Sequence, residues 1–137
     1  MSITVQPLRE GRVLLCTYGE SFTVAEVIEM TTSLQQDFFA PATHKVYTIY
    51  DFTALKRLPP NVLSRLLHAQ PKPHPMAGLS ILVTTSAFFS RMIDVLAKLI
   101  PPDMMMTRDT VEEALAELDR RLALETEQQK ASNSRPK

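Results

Sequence analysis

The chain has 137 residues, 45% of them apolar and 22% charged, and its 15 Lys and Arg balance its 15 Asp and Glu to a net charge of zero. That length suits one domain with a real core, and the charge balance argues against bulk attraction to nucleic acid or to an anionic membrane. No apolar run approaches the ~20 residues that span a bilayer, and Met1-Ser2-Ile3-Thr4-Val5 lacks the basic and apolar regions of a signal peptide. The single cysteine, Cys16, lies in the apolar run Val13-Leu14-Leu15-Cys16, where a buried reduced thiol is expected and no internal disulfide is possible. Together these features predict a cytoplasmic protein.

Residues 3–8 set Ile3, Val5 and Pro7 on one side and Thr4, Gln6 and Leu8 on the other, and Pro7, with no amide proton to donate, suits an edge strand. Arg9-Glu10-Gly11 is a short turn with Gly where a positive φ is needed, so residues 12–18 return as the second strand of a hairpin. Thr23-Val24-Ala25-Glu26 is a capping box, whose hydroxyl and carboxylate satisfy amides that a first helical turn leaves free. Val24, Val27, Ile28, Thr31, Leu34 and Phe38 form the expected buried face, opposite Glu26, Glu29, Ser33, Gln36 and Asp37. Ala40-Pro41 ends that helix, because a proline restricts the residue before it. Val46-Tyr47-Thr48-Ile49-Tyr50 follows, five β-branched or aromatic residues with no charge on either alternating set. Such a strand belongs in the middle of a sheet covered on both faces, and Asp51 then stands at its carboxyl end, where open α/β sheets place ligands.

After a loop over residues 54–58, Pro59-Pro60-Asn61 introduces a short helix from about Pro60 to Ala69, since proline suits a first helical turn. Pro71-Lys72-Pro73-His74-Pro75 is an extended linker, and residues 79–84 read as a second central strand. Thr85 or Ser86 caps a helix that ends before Pro101-Pro102, and its Phe88, Phe89, Met92, Ile93, Val95, Leu96, Leu99 and Ile100 cover an arc of roughly 160°. Phe89, Ile93, Leu96 and Ile100 suffice to cover a sheet, which leaves Phe88, Met92, Val95 and Leu99 as a candidate surface for a homodimer or an apolar ligand. Residues 104–106 form a short last strand, and Thr110-Val111-Glu112-Glu113 is a second capping box. Val111, Ala114, Leu115, Leu118 and Leu122 make the buried stripe of the final helix. From residue 125 the composition turns polar without periodicity, so a single domain over residues 1–124 and a disordered tail over 125–137 are expected.

The order β-β-α-β-α-β-α-β-α predicts an α/β fold, a mixed but mostly parallel sheet with an N-terminal antiparallel hairpin and helices packed on it. This order, with Tyr50-Asp51-Phe52-Thr53 closing a buried strand and Thr110-Val111-Glu112-Glu113-Ala114-Leu115 opening the last helix, resembles the STAS-like domains, named for sulfate transporters and anti-sigma-factor antagonists. The similarity covers about residues 3–124 and points to the stand-alone bacterial branch described as uncharacterised, grouped loosely with the lipid-binding CRAL-TRIO domains. It implies a non-enzymatic protein-interaction or regulatory module with a protein partner, and alternatively a binding protein for a lipidic or other apolar small molecule. In the anti-sigma-factor antagonists the loop after the equivalent strand leads into an Asp-Ser-Ser-Gly-type helix start, whose serine is phosphorylated. Here Leu58-Pro59-Pro60-Asn61 stands at that distance from Asp51, with Pro60 in place of the serine. Proline has no hydroxyl, so the phosphorylation switch is expected to be absent.

Asp51 can orient a ligand or partner, or it can cap the following turn together with Thr53; the turn role has the greater weight, because Asp after a strand is common turn chemistry. His44, His68 and His74 match no familiar zinc spacing, Gly11, Gly19 and Gly78 are isolated and form no phosphate loop, and no Ser/His/Asp or Cys/His grouping stands out. No catalytic set, cofactor or metal is therefore expected. Charge placement says more than the total. Between Phe52 and Ser90 there is no acidic residue, whereas Lys56, Arg57, Arg65 and Lys72 are present with His68 and His74. Asp51, Thr53, Lys56, Arg57, Asn61 and Arg65 are the candidate partner- or anion-binding residues, weighed evenly against an ordinary solvated face. Met104-Met105-Met106 and Phe88-Phe89 read first as core, although a methionine run can also line an adaptable apolar site.

Overall fold

In the computed structural model, which describes residues 3–62, 64–65, 74–87, 89–91, 94 and 104–134, the hairpin forms as the alternation predicts. Strands β1 (Ile3–Leu8) and β2 (Val13–Tyr18) run antiparallel, with Ile3 opposite Tyr18 and Leu8 opposite Val13. Their turn holds three successive left-handed residues, Arg9 at φ 52°, Glu10 at 58° and Gly11 at 82°. Sequence reasoning reserves that conformation for the glycine; here two residues with side chains share it.

Helix α1 (Val24–Leu34) opens on the expected capping box, in which Glu26 N donates to Thr23 Oγ1 at 3.1 Å and Thr23 N to Glu26 Oε1 at 3.0 Å. It passes directly into a π-helical turn, Gln35–Phe39, closed by Ala40 N donating to Gln35 O at 2.8 Å. This turn corrects the expected stripe. The buried residues are Val24, Met30, Leu34 and Phe39, with Val27 and Phe38 half-buried against the same core, while Ile28 is 40% exposed. A wide turn accommodates one residue more than the 3.6-residue repeat, so Phe39 takes the inward place that regular spacing gives to Phe38.

Strands β3 (Val46–Asp51), β4 (Ala77–Val83) and β5 (Met105–Arg108) complete a five-stranded sheet in the order β1-β2-β3-β4-β5, parallel throughout after the hairpin. The uncharged strand β3 lies at the centre with Val46, Tyr47, Thr48 and Ile49 buried, and Pro7 lies on an edge, as expected. Helical geometry is present at residues 62, 64 and 65 and again at 87, 89–91 and 94. The remainder of those two expected helices, including Phe88, Met92, Val95 and Leu99, lies outside the described residues. Among the described residues no helix is long and apolar enough to cross a membrane.

Each connection from β2 to β5 steps one strand in the same direction, and right-handed crossovers then all fall on one face of the sheet. The core divides accordingly. On one face Leu14, Cys16, Tyr18 and Val46 pack with Val24, Met30 and Leu34 of α1, with Leu55 and Val62 after β3, and with Phe89 after β4. On the other, Val13, Tyr47, Ile49, Leu79, Ile81 and Val83 pack with Ala114 and Leu118 of the last helix, α2 (Val111–Ser134), flanked by Val111, Leu115 and Leu122.

Helix α2 runs on past residue 124. Polar composition from residue 125 predicts a disordered tail, yet the helix continues to Ser134. Loss of apolar periodicity removes a reason to pack but does not stop a helix; Glu, Gln, Lys and Ala sustain it, and no Gly or Pro intervenes before Pro136. The continuation carries Glu125, whose carboxylate accepts from Arg12 Nη2 at 2.6 Å and from the Tyr47 hydroxyl.

The register between β3 and β4 slips between Val46 opposite Ala77 and Thr48 opposite Ser80, so Gly78 and Leu79 together face Tyr47. A bulge of this kind is where a glycine admits a neighbour's ring. A Cβ on Gly78 would lie 2.7 Å from Cε1 and 2.8 Å from Cδ1 of Tyr47. Gly78→Ala should therefore displace that ring and lower stability by about 1–3 kcal/mol in urea unfolding, the usual cost of overpacking. A change within about 0.5 kcal/mol, the range of an inconsequential surface substitution, would show that the ring does not need the space.

Candidate functional site

Strand β3 delivers Asp51 to the carboxyl end of the sheet, and the chain turns there on its side chain. Asp51 Oδ1 accepts from Thr53 N at 3.0 Å and from Thr53 Oγ1 at 2.7 Å, the bonds of an Asx turn. Phe52 N donates to Val83 O at 2.9 Å, and Leu55 drops its side chain into the core. The loop then folds back over the end of β2, where Lys56 N and Arg57 N both donate to Glu20 O at 2.8 Å and 3.1 Å. Both Lys56 and Arg57 leave their side chains in solvent. Asn61, in the left-handed region at φ 54°, accepts from Arg65 N at 3.0 Å and opens the helical segment that carries Val62 and Arg65.

The six residues nominated from sequence thus occupy one continuous stretch at the end of the central strand, with distinct tasks. Asp51 and Thr53 bond to each other and shape the turn. Lys56, Arg57, Asn61 and Arg65 are exposed along the loop that follows. Lys56 Nζ lies 3.4 Å from Glu20 Oε1, but side chains 71% and 64% exposed make this a weak pair. Arg57 and Arg65 have no side-chain partner among the described residues. Arg108 is a further basic residue at the carboxyl end of the sheet, on its other face. The register row Thr17, Asp51, Val83, Arg108 places Arg108 two strands from Asp51, about 10 Å away on the face that α2 covers, where its Nη1 donates to Thr107 O at 2.7 Å. Ending the last strand at Met106 hides this; the observed strand runs to Arg108.

At the opposite end of the sheet the hairpin turn is tied to α2. Arg9 Nε and Nη2 donate to Asp119 Oδ1 and Oδ2 at 2.7 Å and 3.0 Å. Arg12 Nε donates to Lys45 O at 3.0 Å and its Nη2 to Glu125, which also takes the Tyr47 proton. Burial first, and then that bond to Glu125, pushes the Tyr47 phenol up to about 12. Burial likewise pushes the Cys16 thiol up to about 12, so it is an inert core group.

No protein-family profile matches the chain, and no curated protein matches it. Solved structures align with most of it, these two among them. One is an uncharacterized protein of the DUF3478 family with a SpoIIAA-like fold from Shewanella loihica PV-4, 16% identical, covering 85% of this chain and 91% of that one at a TM-score of 0.62. The other is an anti-sigma-factor antagonist (STAS) domain protein from Planctomyces limnophilus, 14% identical, covering 84% and 95% at a TM-score of 0.53. The fold is STAS-like. Identities this low carry the architecture alone. Within this STAS-like sheet, Pro60 sits in the turn immediately before the helical segment, so the loop presents no hydroxyl at that position.

The Asx turn gives a direct test of what Asp51 contributes. Asp51→Ala leaves Thr53 N and Oγ1 without their acceptor and should cost about 1 kcal/mol, whereas Thr53→Ala, which removes only the hydroxyl bond, should cost less. Urea unfolding of both single variants and the double variant measures this. Additive losses would show that the two residues do not act as one turn.

Proposed function

We propose that this STAS-like chain is a non-enzymatic interaction module, which docks an acidic protein surface on the loop after β3 without a phosphorylation switch in that loop. The observation that carries the reading is the combination of a pinned backbone with unpaired cations. Glu20 O holds the Lys56 and Arg57 amides, and Asp51 holds Thr53, while the Arg57 and Arg65 guanidinium groups project into solvent with no side-chain partner among the described residues. A fixed loop loses little conformational freedom on binding, which favours recognition by side chains already in place. Unpaired guanidinium groups also steer an oppositely charged surface and pair with carboxylates through two parallel bonds.

Arg57→Glu combined with Arg65→Glu tests this reading. Both residues are exposed, so stability should stay within about 1 kcal/mol. Fluorescence anisotropy with a labelled Asp/Glu-rich peptide at low salt should show binding to the wild-type chain that weakens as salt rises. The double reversal should weaken it about tenfold or more. Equal affinity in the folded variant would show that the loop is a solvated face and nothing else.

A further inference from the structure

Two irregular segments of backbone lie beside each other at the amino end of β3. One is the π-helical turn Gln35–Phe39 with the residues that follow it, and the other is the left-handed hairpin turn at Arg9, Glu10 and Gly11. Between them opens a cleft of about 250 Å³. The wide turn sends Phe39 inward and leaves Phe38 half-buried on the cleft wall. The cleft lies at the end of the sheet opposite the basic loop, and it stands independently of the docking role proposed for that loop.

Its chemistry is specific. Phe38, Ala42 and Val46 supply apolar wall. Glu10 and Asp37 place exposed carboxylates at the rim, and neither has a hydrogen-bond or ion-pair partner among the described residues. Arg12 also lines the cleft, but its guanidinium is committed to Glu125 Oε2 and to the Lys45 carbonyl, so Glu125 balances its charge. Glu10 and Asp37 therefore stay unpaired in a lining that also holds Arg12 and the exposed His44. A metal ion does not fit this arrangement, since among the described residues no three His, Cys, Asp or Glu side chains converge for one. At about 250 Å³ the cleft is smaller than the usual drug-sized pocket and suits a single side-chain-sized group.

We propose that this cleft binds a compact organic cation, an ammonium or guanidinium on a short aliphatic stem. The stem lies against Phe38, Ala42 and Val46, and the head group is placed between the carboxylates of Glu10 and Asp37. The Phe38 ring adds a face that favours a cation within about 6 Å. A free small amine and a lysine or arginine side chain of a peptide share this chemistry.

Amide chemical shifts followed during titration test the proposal and separate the two sources. The probes are agmatine, for a free amine, and N-acetylarginine methylamide, for a peptide side chain. Saturable shifts confined to the amides around Gly11, Ala42, Thr43 and His44 are expected with at least one probe. Stronger binding of agmatine assigns the site to free amines, and stronger binding of the capped arginine assigns it to peptides. Glu10→Gln with Asp37→Asn, two exposed substitutions that should leave the rest of the spectrum unchanged, should weaken binding about tenfold or more. Absence of saturable shifts at those amides with both probes, or undiminished binding in the folded double variant, would overturn it.

Discussion

The handedness of crossover connections decides how this molecule is built. A strand order that only ever steps one way sends every connection between parallel strands to the same face. That face receives α1, the loop after β3 and the segment after β4, whose described core residues pack there together. The opposite face is equally apolar through Val13, Ile49, Leu79, Ile81 and Val83, and α2 is the element whose side chains cover it. One helix about 10 Å across must therefore serve a sheet whose five strands span roughly 20 Å. Ala114 and Leu118 are fully buried as a result, with the half-buried Val111, Leu115 and Leu122 widening the stripe.

The polar contacts at the hairpin make sense against that demand. The Arg9–Asp119 fork joins side chains 42% and 46% exposed and contributes little energy by itself. The Arg12, Glu125 and Tyr47 group is less exposed and hydrogen-bonded throughout, so it fixes where along the sheet the helix lies. Tyr47 belongs to both layers of this arrangement. Its ring rests over Gly78 at the β3–β4 bulge while its hydroxyl reaches the helix. The same amino end carries the cleft with Glu10 and Asp37, and the carboxyl end carries the loop with Arg57 and Arg65.

Legibility from sequence followed the range of the interactions involved. Capping at Thr23–Glu26, the edge position of Pro7 and the uncharged central strand are local facts, readable from residues a few positions apart. The Asx turn at Asp51 and Thr53 is local too, and was the favoured structural reading of that carboxylate. What escaped depends on distant pairs or on departures from a regular repeat. Glu125 reads as part of a polar tail because its partners, Arg12 and Tyr47, lie 113 and 78 residues away. Phe39 is missing from the expected stripe because a periodicity of 3.6 takes no account of a π turn. The cleft escaped for both reasons, since it joins an irregular turn to a hairpin far off in sequence.

Native-state hydrogen exchange tests most directly whether α2 is the indispensable cover of the second face. If it is, the amides of residues 114–122 and those of Ile49 and Ile81 exchange only through the same cooperative opening, with the same free energy. Protection in α2 lost through a separate opening several kcal/mol lower, with the β3 and β4 amides still protected, would contradict the account.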